Sequence, residues 1–206
     1  MKILEDVKLY STRWITLWTR FYEHRNHKAE YFVASRNNDA LALYPPEKPS
    51  AVIIATIYKD PMFSKPLLLL TSEFRLPVGG RELGFPAGLV DTKDLEGKTI
   101  KEAAISAATR ELFEETGLKL TKIIDVSPIL FSSAGFTDES VIIVSGEATG
   151  DLSSLNQEKN EDIIHRPLTQ NDVRSLLEGK LEFCPEPISK ACYPYLKMFA
   201  KYGEIF

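Results

Sequence analysis

The chain has 206 residues, enough for one well-buried domain with a small N-terminal extension, and its 44% apolar and 26% charged content is that of an ordinary globular protein. A formal charge of −4 argues against nucleic acid as the main partner, since such binders carry a basic surface, but leaves a small phosphorylated ligand open. The apolar runs at 51–58 and 66–70 are far too short to span a bilayer, and residues 1–10 lack the apolar segment of a secretory leader, so no membrane and a cytoplasmic location are expected.

In chain order, residues 14–22 and 30–35 are rich in aromatic and β-branched side chains and are joined by a polar turn, which reads as a hairpin. Turns follow at 37–39 and 44–49. Residues 51–58 and 67–75 read as buried strands separated by Lys59-Asp60-Pro61. A helix is expected over 99–116, opened by the capping box Thr99-Ile100-Lys101-Glu102 and packed through Ala103, Ala104, Ala107, Ala108 and Leu112. Strand character returns at 123–130 and 141–146, and a polar loop at 151–160 leads through Glu161-Asp162-Ile163-Ile164 into another strand. Helices are expected near 171–177 and 188–201. Strands flanking a central helix, with helices at the end, give an α+β sandwich. Cys184 and Cys192 match no zinc spacing and read as packed thiols, while His24 and His27 lie in a charged turn and read as solvated.

The most informative stretch is Arg110-Glu111-Leu112-Phe113-Glu114-Glu115-Thr116-Gly117-Leu118. At helical spacing Glu111 and Glu115 stack on one face with Glu114 beside them, and like charges stacked that way weaken a helix unless a cation relieves them. Mg²⁺ takes such hard oxygen ligands, usually one or two carboxylates plus substrate phosphates. Upstream, Phe85-Pro86-Ala87-Gly88-Leu89-Val90-Asp91 forms a turn that leads towards this helix.

The turn and the acidic helix together resemble the signature of the Nudix hydrolases, which cleave nucleoside diphosphates linked to another moiety. Glu73-Phe74-Arg75-Leu76-Pro77-Val78-Gly79-Gly80 and Ser132-Ser133-Ala134-Gly135-Phe136-Thr137-Asp138-Glu139 resemble the ADP-ribose pyrophosphatase branch, and the similarity runs from about Trp14 to about Leu168. Three features depart from the pattern. The interval from Gly88 to Arg110 is long, as if residues were inserted around 91–101; Gly84 stands where many relatives carry glutamate; and Ala134 replaces a loop proline. The family's glutamate ahead of the arginine is nominally Glu102, but its capping role and its opposite helix face argue against a ligand.

The resemblance implies a Nudix-type α/β/α sandwich with a mixed sheet and an N-terminal antiparallel strand extension. Residues 1–45 would form the extension, serving dimerisation and base contacts, and 46–206 the hydrolase domain. It adds the backbone carbonyl of Ala87 to Glu111 and Glu115 as metal ligands for Mg²⁺, with Mn²⁺ as the alternative. Glu114 would bind a second ion or hold metal-bound water, and Arg110 would brace the acidic cluster. Arg75 would clamp the diphosphate, since a guanidinium gives paired bonds to phosphate oxygens. Glu161 is the candidate base, with Asp162 the runner-up; Trp14 and Tyr31 would stack the adenine, with Arg36 nearby. His165 would also approach the site. The expected partners are a nucleoside diphosphate sugar and a second copy of the chain. The expected reaction is hydrolysis of ADP-ribose to AMP and ribose 5-phosphate; the alternatives are another nucleoside diphosphate sugar, or a sensor that binds ADP-ribose without turnover.

Overall fold

The structure is a computed structural model that describes residues 1–42 and 44–205. In chain order the strands and helices are β1 (Lys2–Ser11), β2 (Thr16–His24), β3 (His27–Ser35), β4 (Ala51–Tyr58), β5 (Leu67–Arg75), β6 (Gly80–Gly84), β7 (Ala87–Leu89), α1 (Thr92–Leu95) and α2 (Ile100–Thr116). There follow β8 (Lys119–Val126), β9 (Leu130–Phe131), β10 (Ser140–Thr149), β11 (Ile163–Leu168), α3 (Gln170–Leu177) and α4 (Tyr193–Tyr202). They fall into two compact units, one of residues 1–51 with 128–142 and the other of 52–127 with 143–206.

The first unit holds an antiparallel sheet in the order β1-β2-β3. Arg25 and Asn26, both at positive φ, make the tight turn between β2 and β3, the geometry that suits the twist of a two-residue hairpin. The strand β1 is an addition to the expected hairpin. Its residues are exposed or half-buried and show no buried face, so period-two patterning does not announce it. Cross-strand pairs hold it: Arg20 donates two bonds of 2.7 Å to Asp6, and Lys8 lies 5.3 Å from the Trp18 ring centre. In the same unit β9 pairs with the start of β10.

The second unit is built on a sheet in the order β11-β5-β4-β10-β8, with β6 on β5 and β7 on β4. Residues 67–70 are all buried, the continuous apolar run of a strand covered on both faces. Leu68 and Leu70 join Ala55, Ile57, Val173 and Phe199 in the core under α3 and α4. The helix α2 lies against β7 and β8, and its Ala103, Ala104, Ala107, Ala108 and Leu112 are fully buried. Helices on a mixed sheet give the α+β sandwich the pattern implied. Both thiols are buried and free, and burial raises that of Cys192 to about 12. No helix among the described residues is long and apolar enough to cross a membrane.

Several element boundaries differ from expectation, two of them around prolines. The strand expected over 123–130 is β8, ending at Val126, and then β9, because Pro128 has no N–H to continue a ladder. The last helix begins at Tyr193 instead of 188, with Pro194 in its first turn. The residues ahead of it are used otherwise: Leu83 N–H donates to Pro187 O and Ser189 N–H to Leu83 O, both at 2.8 Å.

Candidate active site

The end of β5, the strands β6 and β7, the helix α2 and the loop after β10 bring five glutamates together in the second unit. Strand alternation sets the first part: Leu69, Thr71, Glu73 and Arg75 share one face of β5, opposite the face that carries Leu68 and Leu70 into the core. Glu73 stands directly across from Glu82 on β6, an arrangement of like charges that a sheet disfavours. Arg75 relieves it, its Nη1 2.7 Å from Glu73 Oε1 and its Nε 3.6 Å from Glu82 Oε2. Burial raises the Glu73 carboxyl; Arg75 opposes the shift, and Glu161 and Glu82 add to it.

The helix supplies the second part. Thr99 and Glu102 form the reciprocal capping box at its start, which leaves Glu102 exposed and outside the cluster. At its other end Gly117 takes the left-handed conformation with φ of 76°, where a Cβ would also stand 2.9 Å from Ser153 Cβ. Between them Glu111 and Glu115 point into the protein, only 9% and 3% exposed. Glu111 lies so close over Gly88 that a Cβ there would overlap its whole carboxylate. Glu115 accepts a bond from the Ala87 N–H, yet its Oε2 is buried without a partner.

These carboxylates strain one another. Burial, then the charges of Glu73, Glu111 and Glu161, push Glu115 well above the ordinary carboxylate range, against the Ala87 bond. Burial also raises Glu111, offset by the Arg110 guanidinium. Arg110 braces the cluster as expected: Nη1 donates to Glu111 Oε1 at 2.8 Å and Glu114 Oε2 at 2.9 Å, and Nη2 donates to Leu89 O and Asp94 Oδ2, both at 2.9 Å.

The loop at 151–162 is tied to the end of α2, where terminal carbonyls lack helical partners. Ser153 N–H donates to Thr116 O at 2.8 Å, Gln157 Nε2 to Glu115 O at 2.8 Å, and His165 Nε2 to the same oxygen at 2.9 Å. Glu161, at the loop's end, accepts from the Glu158 N–H at 2.9 Å, and its charge reaches Glu73, Glu111 and Glu115. Asp162 is engaged elsewhere, 2.5 Å from Arg81 Nη2, while its carbonyl accepts from Phe74 N–H.

The structure thus brings together Ala87, Glu111, Glu115, Arg75 and Glu161. Trp14, Tyr31 and Arg36 belong to the first unit. Trp14 and Tyr31 are exposed; Arg13 stacks 4.5 Å from the Trp14 ring centre, and the Tyr31 hydroxyl donates to Gly135 O. Arg36 pairs with Glu139 at 2.9 Å. Glu73, Glu82, Gln157 and Asp94 join these surroundings without a role expected from the sequence. The period-two spacing of Glu73 and Arg75 was the signal for the first; Gln157 had none.

The group these residues fit is a divalent cation. Two glutamates with a buried orphan oxygen on a turn that admits no Cβ suit a hard cation with oxygen ligands. Side chains alone do not complete the set, since no three Asp, Glu, His or Cys groups among the described residues stand in metal-holding geometry. A hard cation there would draw its remaining ligands from backbone, water or substrate oxygens.

An α+β fold that seats an acidic helix on a Pro-Ala-Gly turn is the class these elements define. The NUDIX domain profile matches residues 47–182, and the chain belongs to the Nudix family. It is 38% identical to an ADP-ribose pyrophosphatase of Saccharomyces cerevisiae over 122 residues, 59% of this chain and 44% of that protein. It is 34% identical to an uncharacterized Nudix hydrolase of Schizosaccharomyces pombe over 127 residues, 62% of this chain and 51% of that one. The chain spans about half the length of the curated relatives it matches. A crystal structure of an ADP compounds hydrolase superposes with a TM-score of 0.55 at 20% identity, covering 86% of this chain and 82% of that one, a likeness of fold.

Proposed function

We propose that the chain hydrolyses the diphosphate of ADP-ribose to AMP and ribose 5-phosphate with Mg²⁺, Mn²⁺ being the alternative. The observation that carries the proposal is the buried, partnerless Oε2 of Glu115 among carboxylates that raise its proton affinity. Glu111, Glu115 and the Ala87 carbonyl are the proposed cation ligands. A cation held by them would supply charge neutralisation and Lewis-acid polarisation of the diphosphate.

The chain's own groups do the rest. Arg75, held ready by Glu73 and Glu82, exchanges those carboxylates for diphosphate oxygens. Glu161 takes the proton of the attacking water as the new P–O bond forms and the bridging P–O bond breaks. Its charge lies among the acidic residues, whereas Asp162 is occupied by Arg81, which favours Glu161 as the base. Trp14, Tyr31 and Arg36 are assigned the adenine, and the exposure of the two aromatic rings supports that reading.

One observation favours another nucleoside diphosphate sugar as substrate. At Gly84 a Cβ would meet only Ser189 Cβ at 3.7 Å, an ordinary contact, so packing does not demand the glycine that replaces the relatives' glutamate. Incubation of a nucleoside diphosphate sugar panel with Mg²⁺, with products resolved by chromatography, decides between them. AMP and ribose 5-phosphate from ADP-ribose are expected. Binding without AMP release would establish the sensor reading instead. In the same assay Glu161→Gln should lose roughly 10²–10⁴-fold in kcat with KM nearly unchanged, and Asp162→Asn should lose little. The reverse result would move the base to Asp162.

A homodimer is proposed through the first unit. Ile3, Leu9, Leu17 and Phe32 are exposed on its small sheet, and β1 is an open edge. Light scattering should give twice the chain mass; a fully active monomer rules the dimer out.

A further inference from the structure

We propose that Asp94 is a positioning residue for the cation site, acting through Arg110 to hold Glu111 in place. The inference rests on the reading of Glu111 and Glu115 as cation ligands. Asp94 lies on α1, within the interval 91–101 that lengthens this chain between the Pro-Ala-Gly turn and the acidic helix. It is a carboxylate only 3% exposed, and each of its oxygens is bonded. Oδ2 accepts from Arg110 Nη2 at 2.9 Å and from the Asp91 N–H at 3.1 Å, and Oδ1 accepts from Ser106 Oγ at 3.1 Å.

The geometry divides Arg110 into two ends. The Nη2 end is pinned by Asp94 and by Leu89 O, on the side of α1 and β7. The Nη1 end then has a fixed direction and meets Glu111 Oε1 and Glu114 Oε2. A guanidinium is a rigid plane, so anchoring one edge sets the other. Glu111 has little freedom of its own, because its carboxylate is lodged over Gly88.

Without the Asp94 charge, one unit of compensation is lost from Arg110. The guanidinium, no longer anchored, shifts its Nη1 bonds to Glu111 and Glu114 and competes with a cation for Glu111, whose tight seat over Gly88 leaves it no second position in which to bind one. Glu102 cannot substitute: its carboxylate is occupied by Thr99 N–H at 2.9 Å and Thr99 Oγ1 at 2.7 Å at the helix start. The short added helix therefore delivers the carboxylate that α2 itself does not provide.

Partners that orient metal ligands typically affect metal affinity by roughly 10- to 100-fold. Calorimetric titration of the substrate-free protein with Mn²⁺ tests the inference. Asp94→Asn should weaken Mn²⁺ by that factor, Glu102→Gln should leave it unchanged, and Glu115→Gln should abolish binding. Arg110→Lys, which keeps the charge but loses the fork, should weaken binding similarly, and Asp94→Asn should add little in the Arg110→Lys background. Additive losses would mean that Asp94 acts on the fold and not through Arg110, and would overturn the proposal. Equal affinity in Asp94→Asn and wild type would overturn it while leaving the cation site standing. A wild type that binds no Mn²⁺ would remove the cation site and this inference together. Should Asp94→Asn fail to fold, unchanged affinity in Arg110→Lys overturns the proposal by itself.

Discussion

Gly88→Ala should lower kcat/KM by roughly 10²-fold or more while the protein remains folded, because a displacement of about 1 Å at a reacting centre can cost that much. The added methyl group would overlap the Cδ and both oxygens of Glu111. The backbone itself has no objection, since Gly88 is not among the residues at positive φ. The whole conflict therefore falls on one carboxylate. Glu111 must leave its seat, and the 2.8 Å bond from Arg110 Nη1 moves or breaks with it. Activity measured across a Mg²⁺ titration, together with a thermal melt, checks the result. A folded Gly88→Ala protein with normal activity at limiting Mg²⁺ would show that Glu111 is not needed where it stands.

Glu115→Gln should abolish turnover, by roughly 10³-fold or more if the cation supplies several kcal/mol to the transition state. The same change should alter how the metal-free protein responds to pH. Burial first, and then Glu73, Glu111 and Glu161, raise the folded-state pKa of Glu115 well above its ordinary 4.5. A group raised in this way contributes its stability fully below its unfolded value and loses it as pH rises through the folded one. Glu111 and Glu73 are raised as well, so their contributions have the same sign. Melting temperature in the presence of a chelator should therefore fall as pH climbs from about 4.5 towards neutrality. Asp94 works oppositely: burial would raise its pKa, but the bonds from Arg110, the Asp91 N–H and Ser106, together with the Arg110 charge, lower it, so its stability is lost as pH drops through a value below 3.8. Glu115→Gln should flatten the decline above pH 4.5, and Mg²⁺ should restore the wild type at neutral pH by binding the ionised form. An identical pH slope in wild type and Glu115→Gln would refute this account of the cluster.

Regular elements with strong local rules were legible in the sequence. The strands β4 and β5 lie where their apolar runs place them, and α2 begins after Thr99 and ends before Gly117 because its caps are written locally. The stacking of Glu111 on Glu115 follows from helical periodicity alone. The environment of those side chains does not. That Glu115 keeps a bare buried oxygen depends on β7, a three-residue strand too short to announce itself, and on Glu73 arriving from another strand. Asp94 was hidden for a different reason. In the sequence it is one acidic residue in a polar interval, and its partner Arg110 lies 16 positions away. Likewise β1 is held by long-range pairing to β2, which no window over residues 1–10 contains.

The fastening of the 151–162 loop to the last carbonyls of α2 gives the candidate base and the candidate ligands a common datum. Ser153 and Gln157 rest on Thr116 and Glu115, the final turn of the very helix that carries the buried glutamates. A slide or tilt of that helix is thus felt by the loop that carries Glu161, which the sheet holds from its other side through Phe74, Arg81 and Asp162. Between those two anchors Glu161 sits on the short span from Gln157 onward, itself closed by the bond from Glu158 N–H to the Glu161 carboxylate. A flexible-looking polar loop thereby acts as a ruler with its zero mark on the acidic helix.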